Sequence, residues 1–209
     1  MIVDPALKYG TVEIDFPWAY GNHGNSGGGM FGANGRRGIC PTYRTMPLKQ
    51  IAEWRLPFEV AESAHMYLWT PKDAQFMEAA PGIIRGLGFR PVNLRVWRKH
   101  PHKGPGQWEQ STVEFVWRGV RGPLWRRPLA ELRRILLYVP TDVIGSPDMI
   151  GVAASEHSRK PDEFYREARW MSPPPHLSLF QRRERDGWYG WGDQYEAMAT
   201  DANPKRGMF

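Results

Sequence analysis

The chain has 209 residues, 41% hydrophobic and 24% charged. That suits one globular domain over 1–209, with little room for a second. No apolar run approaches a membrane span, and Met1-Ile2-Val3-Asp4-Pro5 lacks a signal pattern, so no membrane contact and a cytoplasmic location are expected. Its one cysteine, Cys40, excludes an internal disulfide, and no basic, His-paired setting marks it as a catalytic thiol. With 28 Lys and Arg against 22 Asp and Glu, the formal charge is +6. Such a surplus favours a polyanionic partner, nucleic acid foremost, the alternative being a solvated basic surface.

In chain order, Gly10 to Asp15 reads as a strand that stops at Pro17. Eight glycines between Gly21 and Gly38 predict a flexible loop over 21–38, read as a lid near a substrate. Gly27, Gly29 and Gly32 fit a dinucleotide-fingerprint spacing, but no strand precedes them and no helix opens within them, so that reading is rejected.

Ala64 to Trp69 is a second strand. A helix follows, with Thr70 as its cap and Pro71 first, interrupted at Pro81 and Gly82 and finished by Gly86 and Gly88. Val92 to Arg98, Thr112 to Trp117 and Ile135 to Val139 are further strands. Pro161 to Trp170 reads as a proline-opened helix, and His176 to Gln181 as the last strand before a Gly/Trp-rich tail that frays over 196–209. Alternating apolar runs and helix-like stretches predict an α/β sandwich around a mainly parallel sheet.

The chemistry concentrates at Ile14-Asp15-Phe16-Pro17-Trp18, at the carboxyl end of the first strand, where open α/β sheets bind ligands. Two readings are open. In one, the Asp15 carboxylate and the Phe16 carbonyl accept both N–H bonds of an exocyclic amino group such as adenine's, and aim its lone pair at a methyl donor. Pro17 then stiffens the turn, and Trp18 stacks on a flipped base. In the other, a strand ends in an ordinary Pro turn with a buried Trp. A metal-dependent nuclease drawn from His100, His102 and His157 is disfavoured, because those histidines sit among lysines without clustered carboxylates.

Asp15-Phe16-Pro17-Trp18 resembles the Asp-Pro-Pro-Trp signature of adenine amino-methyltransferases related to the catalytic subunit of mRNA adenosine methyltransferase, the short bacterial and phage members above all. Tyr43-Arg44-Thr45-Met46, Met66 to Thr70, Val96-Trp97-Arg98-Lys99, Glu114 to Gly122, His157 to Glu163, Leu179 to Arg182 and Gly187 to Gln194 follow in that family's order. The resemblance implies a Rossmann-like three-layer fold with S-adenosylmethionine as methyl donor and no metal. It implies adenine in nucleic acid as substrate, DNA rather than RNA, and leaves a homo- or hetero-oligomer open.

By residue, the resemblance makes Asp15, Phe16, Pro17 and Trp18 catalytic, and Tyr43, Trp69, Trp97 and Lys99 substrate-binding. Lys160 would take the cofactor carboxylate, and His157, Arg182, Asp193 and Gln194 would complete the cofactor site. Phe16 stands where the family usually has proline, and Ser178 where it often has glutamate. A catalytically silent nucleic-acid-binding or scaffolding relative, or an RNA adenine methyltransferase, is the alternative.

Overall fold

Alternation of apolar side chains along the β1 segment Tyr9–Ile14 sends Val12 and Ile14 to one side and Thr11 and Glu13 to the other, and all six residues are buried. A strand buried on both faces needs neighbours on both edges and layers above and below, and it has them. The computed structural model describes residues 1–19, 45–98, 113–123, 149–150, 160–181 and 183–192. Within them follow α1 (Leu48–Glu53), β2 (Val60–Thr70), α2 (Ala74–Gly86), β3 (Arg90–Arg98), β4 (Val113–Arg121), β5 (Met149–Ile150), α3 (Asp162–Met171), β6 (His176–Leu179) and β7 (Trp188–Trp191).

The strands form one sheet in the order β5-β3-β4-β2-β1-β6-β7. All neighbouring pairs run parallel except those made by β4, which is antiparallel to both β2 and β3. The mainly parallel sheet is thus as expected, with β4 its reversed member.

Helices cover both faces. On one, Phe76, Ala80, Ile83 and Ile84 of α2 and Ile51 of α1 pack with Val12, Ile14, Met66, Leu68, Leu177 and Leu179. On the other, Phe164, Tyr165 and Ala168 of α3 pack with Tyr67, Trp69, Trp97, Val116 and Trp188. Close approach is built in at Gly10, where an added Cβ would lie 2.5 Å from the Pro174 carbonyl oxygen. Among the described residues no helix is long and apolar enough to cross a membrane.

Several expectations are corrected. Thr70 does not cap a helix: it ends β2, paired with Phe115 of β4, and Asp73 is the residue before α2. Pro81 and Gly82 do not interrupt α2, which runs through them. A mid-helix proline costs about 3 kcal/mol, and the four core residues that α2 buries outweigh that local preference. The last strand is not β6. Trp188–Trp191, placed in the tail by sequence, is β7, parallel to β6, with Trp188 fully buried. Helix α1 and the short strand β5 were not anticipated. The stretches 21–38, 135–139 and 196–209 lie outside the described residues.

Candidate active site

Asp15 is one residue past β1, and Trp69 is near the end of β2. Because β4 runs antiparallel, its first residues lie at the same edge as the last residues of β2 and β3, with Glu114 opposite Trp97 and Val116 opposite Trp69. Lys160 comes to this edge just before α3. The carboxyl edge of the parallel strands therefore collects Asp15, Glu114, Lys160, Trp69 and Trp97 in one place, as open α/β sheets arrange their sites.

One cation there serves two carboxylates. The Lys160 ammonium donates to Asp15 Oδ2 at 2.7 Å, lies 3.1 Å from Glu114 Oε2, and stands 5.2 Å from the Trp69 ring centroid. Its side chain is 6% exposed, against 22% for Asp15 and 18% for Glu114. Burial works against the lysine's charge, but the two carboxylates outweigh it and hold Lys160 well above the ordinary lysine value. One cation between two carboxylates over an aromatic face forms a cage for a primary ammonium.

The rest of the tetrad is built into the core. Phe16 is 2% exposed and packs against Trp54, Trp18 and Phe180, with centroids 5.2–5.7 Å apart. Its aromatic side chain fills space that a proline could not. The Phe16 carbonyl accepts the Trp18 N–H at 2.9 Å, its one backbone donor among the described residues, and a carbonyl oxygen can accept a second. Pro17 accepts from the Met46 N–H at 2.7 Å, tying the tetrad to the segment before α1.

Trp18 corrects its assignment as a stacking platform. Its ring is 4% exposed, tilted on Phe76 at 5.0 Å, and its indole N–H donates to the Trp69 carbonyl at 3.1 Å. Trp69 and Trp97 reach the site edge as expected, but their rings are 1% exposed, set edge to face at 5.9 Å with Phe164 against Trp69 at 4.8 Å. They wall the site from behind instead of offering a face to solvent. Tyr43, Lys99, His157, Arg182, Asp193 and Gln194 lie outside the described residues.

Sequence reading missed two groups. Glu114 was quoted within a motif and given no role. Glu13, two residues before Asp15, is 1% exposed; it accepts from the Tyr165 hydroxyl at 3.0 Å and from the Ser178 hydroxyl. The available signal was Ser178. It departs from the glutamate frequent at that place in the resembling family, and it pairs in register with Glu13, so a carboxyl is supplied from the adjacent strand.

The MT-A70 family model matches residues 37–194, well over half of the chain and beginning downstream of the Asp15 tetrad. No curated protein matches the chain. MT-A70 methyltransferases use S-adenosylmethionine as methyl donor. The donor set fits that group: its amino-acid end carries an ammonium and a carboxylate, and the edge offers Glu114 to the one and Lys160 to the other. When bound, the cofactor supplies an electrophilic methyl on a sulfonium.

Proposed function

Since the chain belongs to the MT-A70 family of S-adenosylmethionine-dependent adenine methyltransferases, we propose that it is an active enzyme that methylates the exocyclic N6 amino group of adenine in nucleic acid, DNA in preference to RNA. One observation carries the reading. The Asp15 carboxylate stands at the carboxyl edge of β1 and already holds a nitrogen donor, the Lys160 ammonium, at 2.7 Å. An acceptor so placed takes an N–H of the target amine, and the Phe16 carbonyl takes the other. The amine's lone pair, otherwise delocalised into the ring, is turned toward the incoming methyl. Buried rings of Trp69, Trp97 and Phe164 keep water from the back of the site, which strengthens these hydrogen bonds. The +6 charge of the whole chain supports a polyanionic substrate.

Nucleoside mass spectrometry tests the proposal, after incubation of the protein and S-adenosylmethionine with unmethylated DNA and, separately, RNA. N6-methyladenine in the DNA reaction, absent with Asp15→Ala, is the expected result. A signal from RNA alone reassigns the substrate. No signal from either, with cofactor still bound, would establish the silent, nucleic-acid-binding relative instead.

A further inference from the structure

Glu13 is a buried ionisable group that methyl transfer as described does not use. Asp15, two residues on and one past the end of β1, continues the strand's alternation, its N–H still reaching the Leu179 carbonyl of β6 at 3.4 Å. In register Glu13 lies between Tyr67 of β2 and Ser178 of β6. Ser178 donates to one carboxyl oxygen and Tyr165, from α3 above the sheet, to the other at 3.0 Å. The Arg185 guanidinium lies over that Tyr165 ring, 3.7 Å from its centroid.

Among the described residues, the groups around Glu13 are Asp15 just past its own strand, Tyr67 from β2, Ser178 from β6, Tyr165 from α3, and Arg185 over the Tyr165 ring. His65 is engaged one row away with Ser172 and Arg118, His176 approaches the Ser172 carbonyl, and Lys160 lies beyond Asp15. Among the described residues, both groups that hydrogen-bond the carboxyl are neutral hydroxyls. Burial pushes Glu13 up to about 7; the charge of Asp15 adds to the rise, while Ser178, Arg185 and Tyr165 oppose it.

Building on the methyltransferase reading, we propose that Glu13 is a positioning residue whose carboxyl is electrostatically coupled to Asp15 along one face of β1, so that loss of the Glu13 proton makes Asp15 a stronger acceptor for the substrate N–H and raises the rate of methyl transfer. Two strand residues on one face stand roughly 7 Å apart. At that range, with Lys160 and Arg185 offsetting part of the repulsion, the coupling displaces titration by about one pH unit. The cell's neutral range then lies across the switch.

Two measurements test this. In the first, the free protein is labelled with carbon-13 at the glutamate carboxyls and titrated by NMR. One resonance should titrate near neutrality, vanish in Glu13→Gln, and move down by about one pH unit in Asp15→Asn. Tyr165→Phe, which removes one donor to the carboxylate, should move it up. A Glu13 resonance that titrates below pH 5, or that Asp15→Asn leaves in place, overturns the coupling. This arm needs no nucleic acid and no turnover, so it decides the matter even if methylation is never seen.

In the second, the pH profile of kcat should rise through neutrality in the wild type and lie flat from pH 6 to 8 in Glu13→Gln, with KM for the cofactor changed by less than about threefold. A structural role alone would lower kcat at every pH and keep the rising limb. Persistence of the limb in folded Glu13→Gln overturns the proposal.

Discussion

Replacing Glu13 by Gln should change how stability depends on pH. The side chain is 1% exposed, and its carboxyl is pushed up to about 7 from an ordinary 4.5. Between those two values the folded protein holds a proton that the unfolded chain has released. The stabilisation from this group is therefore fully present below about pH 4.5, declines as pH rises through 7, and is gone above it. At 1.36 kcal/mol per pH unit, the whole decline is roughly 3 kcal/mol.

Gln keeps the shape without the ionisation: its amide oxygen accepts from one hydroxyl, and its NH2 donates to the other, which turns to accept. The stability difference between wild type and Glu13→Gln should accordingly swing by about 3 kcal/mol in favour of the variant from pH 4.5 to pH 8, equivalent to roughly 6–12 °C in Tm for a chain of this size. Groups that do not interact with Glu13 act equally in both proteins and cancel from the difference, whereas its interaction with Asp15 is part of the swing. Urea denaturation at pH 4.5, 6, 7 and 8 measures it. A difference constant to within about 0.5 kcal/mol across that range would refute the reasoning, because a carboxyl with an ordinary pKa contributes no such slope.

Lys160→Met removes the cation shared by Asp15 and Glu114 at 2.7 and 3.1 Å; calorimetry should show S-adenosylmethionine affinity reduced by about 10- to 100-fold, and unchanged affinity would remove Lys160 from the cofactor carboxylate. Trp18→Ala should cost about 3–5 kcal/mol in denaturant unfolding, because its ring fills the core against Phe76 and Phe16. A stable Trp18→Ala protein that had lost only nucleic-acid binding would restore the stacking role.

Much of this protein is legible locally. The β1 and β2 segments are apolar runs closed by proline, and α3 opens at a proline with Asp162 and Glu163 in its first turn, signals that need only a few neighbouring residues. The Asp15 tetrad is equally local, and its place at a strand's carboxyl end follows from where Pro17 stops the strand.

What escaped depends on residues far apart in the chain. Thr70 reads as a cap until Phe115 pairs with it and prolongs β2. Pro81 reads as a break until the sheet buries the α2 residues on either side of it. Trp18 reads as an open platform until Phe76 and the Trp69 carbonyl enclose it. Nothing near Glu13 in sequence announces a carboxyl raised by burial, since Tyr165 and Ser178 lie 152 and 165 residues away. Likewise Lys160 meets Asp15 across 145 residues. Local spacing sets which face a side chain takes, through periods of 2 and 3.6 residues. Strand order and register set what stands opposite it, and the burial that raises Glu13 follows from that.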